Sequence, residues 1–178
     1  IGLGLGFFGK DVITVVTPKD YHEAWTVIPY ISFAFVLHSV YYFFSTPLFY
    51  NISGKGSRIL PLFTISSAIV NIVLNFLLIG KFGIIGASIA TLLSKLVLVL
   101  GLSRTYKKFV NINYQEKILM ILPWLYFIVA LIVIRSDYIK DKLIIKLFIF
   151  FLVFLVSLFF FRNELTHVIN RKLKSNKS

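Results

Sequence analysis

Long runs of apolar residues, separated by short polar or charged segments, cover most of this 178-residue chain. A helix needs about 20 apolar residues to cross the hydrocarbon core of a bilayer, so runs of this length predict transmembrane helices. Five full spans are predicted, at residues 24–50, 59–79, 83–106, 118–134 and 143–161. The pattern therefore predicts an all-α integral membrane protein, with a multi-helix transmembrane bundle over residues 18–161.

The two ends of the chain differ from this bundle. Residues 1–17 predict the end of a truncated transmembrane helix and an outer connection, whereas residues 162–178 form a basic tail. The chain starts at Ile1, with neither the charged segment nor the cleavage site of a signal peptide. We therefore expect these residues to be the C-terminal part of a longer protein, whose N-terminal half is missing.

The second and third predicted spans meet at Gly80-Lys-Phe-Gly83, which predicts a tight turn between two antiparallel helices. Polar residues recur every three or four positions before this turn and so share one helix face. They are Thr64, Ser67, Asn71 and Asn75. After the turn, Ala87, Thr91 and Lys95 follow the same spacing, beside a row of small residues at Gly86, Ala90 and Ser94. Lipid provides no hydrophobic drive for helix association, so small residues and interhelical hydrogen bonds are typical of packed transmembrane helices.

Composition and charge support a membrane protein and predict its orientation. Hydrophobic residues make up 58% of the chain, above the usual share in soluble domains. The net charge of +12 would favour a nucleic-acid partner in a soluble protein, but here it follows alternate loops. One set, which includes 51–58, 105–117 and the tail, holds 11 basic and 2 acidic residues; the other holds 6 and 5. The positive-inside rule places the first set, and the C-terminus, in the cytoplasm.

Candidate chemistry is sparse. The histidines His22, His38 and His167 are isolated in sequence, no carboxylate lies in a predicted span, and the chain has no cysteine. We therefore expect no catalytic residues, no metal site and no cofactor, and a protein that is not an enzyme. Residues Gly4 to Gly9 match the dinucleotide-binding pattern G-x-G-x-x-G, but no strand precedes them. Their glycines are expected to pack a helix end.

The polar stripes predict a substrate cavity, for which the candidates are Lys95, Thr91, Asn71, Asn75, His38 and Tyr42. Lys95 lies about 18 Å along its helix from the turn, near the middle of a membrane core about 30 Å thick. A lysine there costs about 2.5 to 3.5 kcal/mol, which favours a wet cavity or a partner over lipid. Three alternatives remain open. Lys95 can pair with a group of the missing half, it can extend to the cytoplasmic face, and the asparagines and His38 can be packing residues.

The residues around this turn resemble a known family. Asn71-x-x-x-Asn75, the glycine turn and Gly83-Ile-x-Gly-Ala-Ser-x-Ala-Thr91 are similar to the C-terminal lobe of polysaccharide and oligosaccharide-lipid flippases. These belong to the multidrug/oligosaccharidyl-lipid/polysaccharide exporter superfamily. The segment from Phe7 to Ala24 also resembles the outer connection after the family's seventh helix, so the five spans would be helices eight to twelve.

The resemblance implies two helix bundles that face a central cavity and work by alternating access. The expected substrate is a lipid-linked oligosaccharide of the undecaprenyl-diphosphate type, moved across the inner membrane during cell-surface polysaccharide biosynthesis. The expected partners are that substrate, membrane lipid and the missing N-terminal half, with no nucleic acid. A cation-coupled multidrug exporter, a lipid II flippase and a non-transporting membrane scaffold remain alternatives.

Overall fold

The computed structural model describes residues 2–50, 55–109, 116–136, 139 and 142–175, and within these ranges the chain is all-helical, without a strand. The α-helices are α1 (Gly2–Val16), α2 (Ile28–Phe49), α3 (Lys55–Thr105), α4 (Glu116–Arg135) and α5 (Leu143–Ser175). Short 3₁₀ helices occur at Lys19–Thr26 and Tyr106–Lys108. The all-α class is therefore confirmed for these residues. Of the predicted cytoplasmic connections 51–58 and 105–117, residues 51–54 and 110–115 lie outside the described ranges.

Two helix ends differ from the predicted spans. The first span was predicted from residue 24, but α2 begins at Ile28, next to Pro29, because proline is favoured in the first turn of a helix. The fifth span was predicted to end at residue 161 before a separate tail, whereas α5 continues to Ser175. No glycine or proline occurs after residue 143 to end the helix.

Helix α3 is a hairpin of two helical arms. Gly83 has φ 54° and ψ −132°, a backbone conformation that side chains disfavour and that glycine adopts freely. We call residues 55–82 arm 1 and residues 84–105 arm 2. Contacts between the arms pair residue 67 with 94, 71 with 91, and 63 with 101. The midpoint of the two residue numbers in each pair falls between positions 80 and 83. A constant midpoint means that the arms run antiparallel. The predicted hairpin is confirmed, with its turn reduced to a single residue.

Small residues let the arms approach closely. A Cβ atom on Gly86 would clash with the backbone oxygen of Leu78, and one on Gly101 would lie 2.7 Å from the Phe63 ring. Ala90 is fully buried, and Ser94 is 2% exposed. The row Gly86, Ala90 and Ser94 therefore packs against arm 1, as the sequence predicts.

Helix α2 packs against α4 through aromatic rings. The rings of Phe33 and Phe127 stack with their centroids 4.3 Å apart and their planes at 6°. Trp124 meets Phe33 edge to face at 4.9 Å, and Tyr30 meets Phe127 in the same way at 6.0 Å. This aromatic cluster fills the space between the two helices.

Two glycines of α1, Gly6 and Gly9, lie in packed positions. A Cβ atom on Gly9 would lie 2.5 Å from Cγ2 of Ile28, and one on Gly6 would lie 3.8 Å from Cβ of Ala130. The G-x-G-x-x-G pattern lies entirely within α1, and no strand precedes it in the described residues. Gly6 and Gly9 therefore pack against other helices as expected, whereas no atom lies within 4 Å of a Cβ atom on Gly4.

The chain divides into two compact units, Ile1–Ile132 and Val133–Ser178. The first contains α1 to α3 and most of α4. The second contains the end of α4 and α5, on which Lys146 is 2% exposed. Two helical stretches of the described chain, Ile28–Phe49 and Gly56–Lys108, are long and apolar enough to cross a membrane. A single five-span bundle over residues 18–161 stays a prediction.

Candidate functional site

A cavity of about 610 Å³ lies between α2 and the two arms of α3. Each of these three helical segments contributes four side chains to its wall. They are His38, Tyr41, Tyr42 and Phe49 from α2, Thr64, Ser67, Ala68 and Asn71 from arm 1, and Thr91, Ser94, Lys95 and Leu98 from arm 2. The antiparallel hairpin places the polar stripes of its two arms side by side, and α2 closes the third side.

Five of the six candidates from the sequence line this cavity, and Asn75 does not. Asn75 lies one helical turn closer to Gly83 than Asn71, near the level where Gly86 closely approaches the Leu78 backbone. It borders a separate groove of about 430 Å³ with four neighbours on arm 1, namely Ile72, Phe76, Ile79 and Gly80. Asn75 therefore does not line this cavity, and its side-chain amide bonds instead to Asn71, which does.

Lys95 is half-buried in the cavity wall. Within the described residues it makes no ion pair or hydrogen bond, and it interacts electrostatically with His38. None of the described lining residues is a carboxylate. Because an ammonium group offers three donors and no acceptor, this position suits an anion or a group rich in acceptor oxygens.

A directed chain of hydrogen bonds joins the two arms beside the cavity. Asn75 Nδ2 donates to Asn71 Oδ1 at 3.1 Å, and Asn71 Nδ2 donates to Ser94 Oγ at 3.3 Å and to Thr91 Oγ1 at 3.5 Å. Ser67 Oγ donates to the backbone oxygen of Ser94 at 2.8 Å. This polar seam supports the interhelical role that the sequence left open for the asparagines, and it holds Asn71 at the cavity wall.

The hydroxyl groups that line the cavity on the two arms all donate to backbone carbonyls. Thr64 donates to Leu60 at 3.0 Å, Thr91 to Ala87 at 3.0 Å and Ser94 to Thr91 at 2.8 Å. Such bonds to the preceding helical turn are common for hydroxyls in helices. Each hydroxyl has one hydrogen and two lone pairs, so these groups retain only acceptor capacity toward the cavity.

Three rings of α2 form an aromatic shelf on the opposite side. His38 and Tyr41 stack with their centroids 5.4 Å apart, at 4°. Tyr42 meets both edge to face, at 5.2 Å from His38 and 5.5 Å from Tyr41. Tyr42 is 57% exposed, so its ring remains accessible. Nδ1 of His38 has no hydrogen-bond partner within the described part of the chain.

Seven of the twelve wall residues were not among the cavity candidates from the sequence, and Tyr41 and Ser94 show what signal was available. Tyr41 lies three residues after the candidate His38, so its helical spacing was an available signal. Ser94 was expected only to pack, and it both packs and lines the cavity. This dual role depends on the distance between the two arms. The spacing of residues along the sequence does not reveal that distance.

The arrangement combines the Lys95 ammonium group, a wall of hydrogen-bond acceptors and an aromatic shelf, which together can bind a ligand. Comparisons of the chain with protein-family models, with curated proteins and with solved structures give no match.

Proposed function

We propose that this chain is the C-terminal lobe of an inner-membrane flippase that moves a lipid-linked oligosaccharide, of the undecaprenyl-diphosphate type, during cell-surface polysaccharide biosynthesis. The observation that carries the proposal is Lys95, a cation without an ion pair among the described residues, in a polar cavity between apolar helices. A diphosphate is the anionic part of such a substrate, and Lys95 supplies the matching charge. The resemblance around Gly83 supports the same function.

The dimensions of α3 support insertion of both arms into a membrane. At 1.5 Å per residue, arm 1 is about 42 Å long and arm 2 about 33 Å, against a hydrocarbon core of about 30 Å. Within Gly56–Lys108, only 6% of an apolar stretch of 18 residues is buried inside the protein. A core helix of a soluble protein would be mostly buried. The exposed residues of arm 1, among them Ile65, Ile69 and Phe76, are suited to contact with lipid or another helix.

No covalent chemistry is needed for this function. A sugar and a diphosphate must leave bulk water, and the transfer is costly unless polar groups replace their hydration. The cavity supplies such groups. In the proposed arrangement it lies within the membrane core, where ionisable residues are rare and usually functional. Alternating access then requires a second bundle for this lobe to move against, so the proposal includes such a bundle as the partner.

The alternatives make different demands on the cavity. A cation-coupled exporter would favour a carboxylate for its ion, and the described lining has none. A scaffold without transport would need no polar cavity in its helices. A lipid II flippase would use the same binding chemistry. It is distinguished from the first proposal only by which glycan precursor accumulates in cells that have lost the transporter.

The proposal is tested by glycan export in cells that depend on the whole transporter. We expect Lys95→Ala to abolish export while the protein level persists, and Lys95→Arg to retain part of it because the charge remains. Lys81→Ala is the matched control, since Lys81 is exposed near the turn of the same hairpin and lies away from the cavity. Normal export by Lys95→Ala would contradict the proposed role.

The orientation of the hairpin has its own test. Lys81 and Lys108 lie near opposite ends of arm 2, and both are exposed. We expect an impermeant amine reagent to label Lys81 only from outside and Lys108 only from the cytoplasm. Each lysine is assigned by comparison with its arginine variant. Labelling of both from the same side would rule out a membrane-crossing hairpin.

A further inference from the structure

The hydrogen-bonding capacity of the cavity indicates which chemical groups it can receive. On the α3 side, the hydrogens of Thr64 and Thr91 are donated to backbone carbonyls, and both Asn71 amide hydrogens point to hydroxyls. Apart from Lys95, this wall therefore presents acceptors. A ligand held there must supply donors of its own, as hydroxyl groups do. An anionic group placed away from Lys95, against this wall, would meet lone pairs and be repelled.

The α2 side of the cavity is suited to contact with an apolar face of a ligand. Aromatic rings carry negative charge on their faces, so they attract the weakly positive C–H groups of an aliphatic ring. Tyr42, which is more than half exposed, presents such a surface beside His38 and Tyr41. A sugar ring has one C–H face and a rim of hydroxyl donors, which matches both sides of the cavity.

We infer that the cavity binds a sugar ring together with its attached phosphate, with the ring against Tyr42, its hydroxyls donating to Thr64 and Thr91, and the phosphate at Lys95. The inference rests on the proposed function and specifies which part of the substrate the lobe recognises. The volume of about 610 Å³ lies within the range of about 300–1,000 Å³ for small-molecule sites. It therefore suits the junction of sugar and phosphate, and not a long glycan.

The test compares two kinds of probe on the full protein in lipid nanodiscs, by calorimetry. The probes are inorganic phosphate on one side, and glucose 1-phosphate and N-acetylglucosamine 1-phosphate on the other. We expect at least one sugar phosphate to bind about tenfold more tightly than inorganic phosphate, the contribution of one good aromatic contact. Tyr42→Ala should remove this difference in affinity, which we call the sugar margin, and should leave the binding of inorganic phosphate unchanged. Phe43→Ala is the matched control, because Phe43 is the exposed neighbour of Tyr42 and does not line the cavity.

A second pair of variants tests the acceptor wall. Thr64→Val keeps the side-chain shape and removes an acceptor, so it should weaken sugar-phosphate binding about threefold. Thr46→Val should have no effect, since Thr46 also bonds its own helix but lies off the cavity. Equal binding of sugar phosphates and inorganic phosphate, or a margin that survives Tyr42→Ala, would overturn the inference.

The outcomes separate this inference from the proposed function. If Lys95→Ala exports glycan normally while the sugar margin is present, the transport role fails and the sugar site stands. If Lys95→Ala abolishes export while the probes bind equally, the transport role stands and the sugar site fails.

Discussion

Two of the helix contacts in the first unit are built from different chemistry. The arms of α3 meet through small residues and the polar seam, in which Ser67 and Asn71 bond to arm 2. Helices α2 and α4 meet through the aromatic cluster, in which Phe33 stacks on Phe127. The cavity borders the first contact and not the second.

The difference shows that the two contacts have different roles: one fills space with large rings, and the other positions polar groups beside the cavity. Large rings fill the space between α2 and α4, and packing there depends on contact area. Small residues and hydroxyls bring the arms together but leave room at their polar edge. Hydrogen bonds have direction, so the seam sets the register of the arms. We expect substitutions in the cluster to cost stability, and substitutions in the seam to cost function.

The largest effect on stability is expected in the aromatic cluster. Phe127→Ala removes a ring that is 8% exposed, and should lower the free energy of unfolding by about 3 kcal/mol. This is the lower end of the range for such changes, because a membrane also offers the ring apolar surroundings. Chemical unfolding in mixed micelles measures it. Ile128→Ala, at a position 52% exposed, is the control. A loss as small as the control's would show that the cluster does not carry the packing.

The next effect is expected where the arms are closest. Gly86→Ala places a methyl group against the Leu78 carbonyl, and backbone cannot move aside as a flexible side chain can. We expect a loss of about 1–3 kcal/mol, as for other overpacked sites. Gly80→Ala is the matched control on the same hairpin, because nothing lies within 4 Å of its added methyl group. Equal stability of the two variants in micelles would contradict the close approach.

The smallest effect on stability, with the largest contrast to function, is expected at Asn71. Asn71→Leu keeps the volume and removes the bonds to Ser94 and Thr91. Interhelical hydrogen bonds in membranes average about 0.6 kcal/mol each, so the loss of two should lower the free energy of unfolding by about 1 kcal/mol. Glycan export should nevertheless fall strongly, because the cavity loses a polar wall. Ser66→Ala, one position away from the seam residue Ser67 and off the cavity, should leave both unchanged. Normal export by Asn71→Leu would break the contrast between the two contacts.

The sequence by itself determined the local features of this protein. Apolar runs indicated the helices, and the glycines at 80 and 83 indicated the hairpin, with Gly83 adopting the positive φ. The spacing of Thr64, Ser67 and Asn71 indicated one polar face. These features depend on residues close together in the chain, where helical periodicity relates position to direction.

Only the tertiary structure decided what faces those residues. The rotation of α2 about its axis brings His38, Tyr41 and Tyr42 to the cavity, and it depends on contacts such as Phe33 with Phe127, which lie far apart in sequence. The same holds for Asn75, which shares the polar face of arm 1 but lies where the arms close. Periodicity gives the direction of a side chain from its own helix axis. The distance to the next helix depends on the packing of every residue between them.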